Sequence, residues 1–110
     1  MTDLSKEKCV ACQGGVDPLA GEELDTYASY VPEWQVVDGH HLNRRFKFPN
    51  FAKALAFVNQ VGALAEELGH HPNIFLSWGL VEIGIYTHKI DGLHANDFIL
   101  AAHIDKLLAT

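Results

Sequence analysis

Basic residues are scarce in this chain. Eight Lys and Arg stand against fourteen Asp and Glu, a formal net charge of −6 with histidine neutral. That balance disfavours direct nucleic-acid binding, which relies on basic patches that displace counterions from phosphate. A protein partner that itself binds DNA is not excluded. Long apolar runs are missing too: no stretch approaches the roughly 18 consecutive uncharged apolar residues of a spanning helix, so no membrane contact is expected. A secretory leader is not expected either, because Met1-Thr2-Asp3-Leu4-Ser5-Lys6-Glu7 is polar from the start. Cysteine is confined to Cys9 and Cys12. A chain with this much apolar residue does not need the small loop they could close, so the expected compartment is reducing and cytoplasmic.

What is present points to one globular domain. Hydrophobic residues make up 48% of 110 positions, recurring throughout, which excludes disorder for most of the chain. Residues 1–20 read as a flexible segment, with turn chemistry in Gln13-Gly14-Gly15-Val16-Asp17-Pro18. Residues 21–110 read as the domain. Leu24, Tyr27, Ala28 and Val31 form one helical face that ends at Pro32, with Glu22 and Glu23 at the dipole-favoured start. Trp34–Val37 and His41–Phe48 read as strands around an Asp38-Gly39 hairpin signal. Leu42, Arg44, Phe46 and Phe48 share one face of the return strand, and His41, Asn43, Arg45 and Lys47 the other.

A long helix is expected over Phe51–Leu68. Its core stripe is Ala54, Leu55, Val58, Val61, Gly62, Ala65 and Leu68, and Gly69 is its stop. Ile74–Trp78 and Val81–His88 form a second strand pair around Gly79-Leu80. A last helix, capped by Asn96-Asp97, buries Leu100, Ala101, Ile104, Leu107 and Leu108. Helix, hairpin, helix, hairpin, helix is most economically an α+β fold: a four-stranded antiparallel sheet with helices packed on one face.

Seven histidines are the unusual count. Imidazole exchanges protons near neutral pH, and a carboxylate beside it fixes its tautomer. His70 and His71 leave the long helix just before Pro72, which biases the backbone away from helix. His88 ends the last strand, Asp97 opens the last helix, and Glu66 lies one turn before His70. Each also has a plainer reading: His70 as a helix-end cap, His88 as an exposed strand end, Asp97 as an N-cap, Glu66 as solvated, Trp78 as core. His40-His41, beside a hairpin turn, reads as solvated surface, and His94 and His103 as structural or exposed.

Taken together, Glu66-x3-His70-His71-Pro72-x5-Trp78-x9-His88-x8-Asp97 resembles the signature of the pterin-4a-carbinolamine dehydratase family. Trp34, Arg45-Phe46-Lys47-Phe48, Phe51, Phe57, Val58 and Asn96-Asp97-Phe98 resemble its framework, from about residue 20 to the C-terminus. Cys9 and Cys12 resemble bacterial-type members, with no chemistry attached. Where this chain has Trp78, members carry Tyr, Phe or Trp. The resemblance implies a hydro-lyase that removes water from a 4a-hydroxytetrahydropterin, releases quinonoid dihydropterin and so supports tetrahydropterin recycling. His70 and His88 would be the acid–base pair, and His71 would mainly hold the pterin. Glu66 and Asp97 would orient imidazoles or bind pterin nitrogens, and Trp78 would shape the pocket. No redox cofactor or metal is implied. The implied partners are the pterin, an aromatic amino-acid hydroxylase upstream, and further copies of the chain in a homodimer or homotetramer.

Three alternatives stand beside this reading. Three histidines and a carboxylate could bind zinc or iron, although adjacent His70 and His71 face a shared ion poorly. The fold could serve as a non-enzymatic dimerisation partner, as some family members do. A relative with the same motif could instead serve molybdopterin metabolism.

Overall fold

The structure, a computed structural model, describes residues 4–6 and 17–108. Three α-helices and four strands follow in the expected order: α1 (Gly21–Tyr30), β1 (Gln35–Val37), β2 (His41–Lys47), α2 (Phe51–Leu68), β3 (Asn73–Ser77), β4 (Leu80–Ile85) and α3 (Ala95–Leu108). The sheet is antiparallel throughout, in the order β1-β2-β4-β3. The two hairpins therefore meet through β2 and β4, with α2 as the crossover. Leu42 and Phe46 from β2 and Val81, Ile83 and Ile85 from β4 are buried, together with Phe98, Leu100 and Ile104 from α3. His41, Asn43, Glu82, Gly84 and Tyr86 alternate onto the opposite face, which carries no helix among the described residues.

Local chemistry accounts for the punctuation. Asp38 and Gly39 both have positive φ, 53° and 64°, and His40 N–H donates to the Val37 carbonyl at 2.9 Å. Positive φ at both central positions is what an Asp-Gly hairpin turn favours. Asn50 caps α2 by accepting from Lys53 N–H at 2.9 Å. Gly69, left-handed at φ 69°, ends the helix while Ala65 accepts from both Gly69 and His70 N–H.

Several expectations need adjustment. Phe57, not Leu55, fills the α2 core position, where its ring meets Phe46 at 4.8 Å and Phe48 at 5.2 Å. Leu55 is left 39% exposed. The second hairpin turns at Trp78-Gly79, one residue earlier than expected, because Ser77 pairs with Leu80. A side chain at Gly79 would lie 2.8 Å from the Phe48 carbonyl oxygen, so this backbone approach selects glycine. Strand β4 stops at Ile85. The N-terminal segment contributes to the domain: Leu4 is buried, and Leu19 N–H donates to the Leu93 carbonyl at 2.8 Å. Cys9 and Cys12 lie outside the described residues.

One polar contact ties the helix layer to the first hairpin. Asp105 of α3 accepts from Trp34 Nε1 at 2.8 Å and from Arg44 at 2.6 Å. Desolvation, opposed by Trp34 and Arg44, holds its carboxyl above the ordinary value of 3.8. The folded chain thus binds that proton more tightly than the unfolded one, and this group's contribution to stability falls as pH rises from 3.8 through the folded value. Asp105→Ala is expected to cost about 2 kcal/mol in urea unfolding, by stranding the buried Trp34 and the partly buried Arg44 as donors. Asp105→Asn is expected to remove a stability slope that falls as pH rises above the ordinary carboxylate value of 3.8. Parallel slopes in parent and variant would contradict this.

Candidate active site

The site is organised on Asp97. This residue is fully buried and occupies the third position of α3, which begins at Ala95 rather than at Asn96-Asp97. His94 is the residue before the helix, and its backbone N–H donates to Asp97 Oδ2 at 2.8 Å. This is one half of a capping box, and it places the negative charge at the favoured end of the helix dipole. Thr87 Oγ1 donates to the same oxygen at 2.8 Å. His70 Nε2 donates to Oδ1 at 2.6 Å. Asp97 therefore fastens three separate chain segments: the exit of α2, the strand end after β4, and the start of α3.

The bond defines the His70 ring. An ionised carboxylate only accepts, so Nε2 carries the proton and Nδ1 keeps its lone pair in the neutral imidazole. The side chain is 12% exposed, which leaves its edge open to a ligand. His71 goes the other way. Its Nε2 pairs with Glu66, one turn back on α2, and both side chains are mostly exposed. A pair in that setting orients the ring but adds little stability.

His88 is reached through Thr87. The Thr87 backbone bridges Gly92, with N–H to carbonyl distances of 2.8 and 3.4 Å. Between them His88–Ile90 make a short 3-10 turn closed by Asp91 at φ 49°. His88 therefore starts this turn and does not end a strand, because the Asp91-Gly92 reversal brings Gly92 back onto Thr87. Inward–outward alternation continues past Ile85: Tyr86 faces out, Thr87 is buried, His88 is exposed. The His88 ring packs against Tyr86 in a tilted arrangement, with centroids 4.2 Å apart.

The structure thus brings together His70, Thr87, His94 and Asp97, with His88 one residue from Thr87. Glu66 and His71 form an adjoining exposed pair. Trp78 is not brought to them within the chain. It is 67% exposed at the far end of the β3–β4 hairpin, on the order of 15 Å along the strand from the His70 end. An indole there does not join the core. Among the described residues, no group of three or more His, Cys, Asp or Glu could hold a metal ion.

Some participants were not singled out in the sequence. Thr87 continues the buried alternation of Val81, Ile83 and Ile85, and that periodicity is its signal. His40-His41 is not merely solvated. His40 Nε2 bonds Asp91 Oδ1 at 2.7 Å, and its ring packs on Tyr86 at 4.6 Å. Only the fold reveals that contact.

Known proteins resemble this chain over most of its length. The family model described as pterin 4 alpha carbinolamine dehydratase matches residues 17–107. A protein of Rubrobacter xylanophilus named "Putative pterin-4-alpha-carbinolamine dehydratase" is 56% identical over 107 residues, covering 97% of this chain and 100% of its own. A relative of the same name from Alkaliphilus metalliredigens is 50% identical, covering 96% of each chain. Among solved structures, a transcriptional coactivator/pterin dehydratase from Brucella melitensis superposes with a TM-score of 0.76 at 30% identity, covering 83% of this chain and 98% of that one. A pterin dehydratase-like RuBisCO assembly factor of the alpha-carboxysome gives 0.58 at 29% identity, covering 70% and 88%. Match length, identity and fold agree, and the chain belongs to the pterin-4-alpha-carbinolamine dehydratase family.

Proposed function

We propose that this protein dehydrates a 4a-hydroxytetrahydropterin to quinonoid dihydropterin and water, supporting tetrahydropterin recycling. The observation that carries the proposal is the buried Asp97–His70 pair, with His88 one residue beyond the Thr87 that shares the carboxylate. The reaction needs two proton movements. The C4a hydroxyl must be protonated to leave as water. The N5 proton must depart as the N5–H electron pair forms the C4a–N5 double bond. No electron is transferred, so imidazoles suffice for the chemistry.

In this proposal His70 and His88 form the acid–base pair. His70 Nδ1 is the exchanging nitrogen, because Asp97 occupies Nε2. Asp97 also stabilises the imidazolium when His70 takes a proton, as a buried carboxylate does for a catalytic histidine. His71, steadied by Glu66, holds the pterin from the solvent side. Asp97 acts on the ring of His70 and not on the pterin, because its donors already surround it.

A second reading has a specific motive. The structural relatives include a protein titled as a transcriptional coactivator and another as a RuBisCO assembly factor. The fold can therefore carry binding roles, and Phe51 and Leu55 leave an exposed apolar strip on α2. Pterin binding without turnover would favour that reading.

His70→Ala and His88→Ala are each expected to slow dehydration by ~10²–10⁴-fold, and the double variant to approach the uncatalysed rate. Near-native turnover in the double variant would overturn the mechanism. Asp97→Asn is expected to lower kcat on the order of tenfold with a smaller change in KM, because it disturbs the His70 tautomer rather than pterin contacts. β3 is an edge strand carrying the exposed Phe75, with the exposed Trp78 in the turn that follows it, a surface prone to pairing. Light scattering is therefore expected to give a dimer or tetramer, and a monomer at micromolar concentration would contradict this.

A further inference from the structure

The backbone that carries His88 is lightly held. His88–Ile90 form a single 3-10 turn, in which the Ile90 and Asp91 N–H groups donate to the Thr87 and His88 carbonyls at 3.3 and 3.2 Å. Asp91 closes the turn at φ 49°, a left-handed conformation that strains most side chains and that aspartate tolerates better than most. The β2–β4 ladder does not reach this far, since its last pair is Leu42–Ile85. An imidazole that exchanges protons needs a fixed position, because misplacement on the order of 1 Å can cost ~10²-fold in rate.

Side chains continue the contact where the ladder stops. His40, at the tip of the β1–β2 hairpin, donates from Nε2 to Asp91 Oδ1 at 2.7 Å, 51 residues along the chain. A neutral His40 then keeps its lone pair at Nδ1, which accepts from His41 Nδ1 at 3.1 Å. Both nitrogens of the His40 ring are thus engaged. The ring also packs against Tyr86, with centroids 4.6 Å apart, and Tyr86 packs against His88 at 4.2 Å. His40 therefore reaches the His88 turn by two routes, the Asp91 carboxylate at its end and the Tyr86 ring at its start. The hairpin that holds His40 is itself fixed, by the His40 N–H bond to the Val37 carbonyl at 2.9 Å and by the pairing of Val37 with His41.

The worth of this contact is local. The Asp91 side chain is 87% exposed and that of His40 34%, and ion pairs in such a setting add little to the stability of a whole domain. Opening of one turn is a separate equilibrium from global unfolding. A contact can be neutral to the fold and still decide how often a turn opens.

We infer that His40 is a positioning residue for His88: through Asp91 and Tyr86 it ties the turn that carries His88 to the β1–β2 hairpin. The inference rests on the dehydratase reading, in which His88 exchanges a proton, and adds a residue that acts on the reaction through its neighbours.

The test compares the full chain with two variants. His40→Leu keeps bulk against Tyr86 and removes the donor. His40→Gln carries an amide that can donate to Asp91 as Nε2 does. Hydrogen exchange of the Ile90 and Asp91 amides reads the turn. In His40→Leu these amides are expected to exchange about fivefold faster, the scale of one net hydrogen bond, while the β2 and β4 amides and the urea midpoint stay as in the parent. In His40→Gln their exchange is expected to stay within about twofold of the parent. With a methyl-substituted 4a-hydroxytetrahydropterin as substrate, His40→Leu is expected to lower kcat about fivefold with KM within about twofold, and His40→Gln to recover most of the loss. Unaltered turn exchange in His40→Leu, unaltered kcat, or equal losses in the two variants each overturns the inference. Turnover by the parent then leaves the dehydratase reading standing. A parent that turns over no pterin overturns both.

Discussion

A single buried carboxylate holds the functional end of this molecule together. Asp97 has no exposed surface and accepts from His70, Thr87 and the His94 backbone. A buried charge is tolerated when its lone pairs are occupied and a helix N-terminus faces it, and both conditions hold here. The arrangement cannot form until α2, β4 and α3 are all in place. Folding and site assembly are therefore one event, and the His70 tautomer is a consequence of tertiary structure rather than of local sequence.

The same knot divides labour between the two sides of the sheet. Thr87 and Asp97 belong to the buried side, where low polarity strengthens hydrogen bonds. Tyr86 and His88 belong to the open side. His70, 12% exposed, stands at the boundary. Alternation along one strand end thus places a desolvated positioning group and an accessible imidazole next to each other. Gly69 contributes from the other direction, since its left-handed turn releases His70 from α2 at the level of α3.

Much of this was legible in the residues. Apolar spacing set out α2 from Phe51 to Leu68 to the residue, because Asn50 and Gly69 supply chemically distinct ends. Alternation set out both faces of β2. The limits of legibility have physical causes. Leu55 and Phe57, two residues apart, lie on nearly opposite helical faces, and packing against Phe46 and Phe48 decides which is buried. Trp78 looks like a core or pocket residue by type, yet the close approach of Gly79 to the Phe48 backbone shifts the turn and leaves the indole outside. Among the candidate site residues, the order of His70, His71, His88 and Asp97 was readable. Which carboxylate serves which ring follows only from the fold, as does the contact of His40 with Asp91 across the open face.

The account turns on the proton position of His70, and nitrogen-15 spectra of the imidazoles report that position directly. With the ring neutral, His70 is predicted to show a single tautomer with the proton on Nε2 and a lone-pair shift at Nδ1. A proton on Nδ1, or averaging of the two nitrogens, would mean that Asp97 does not hold this ring.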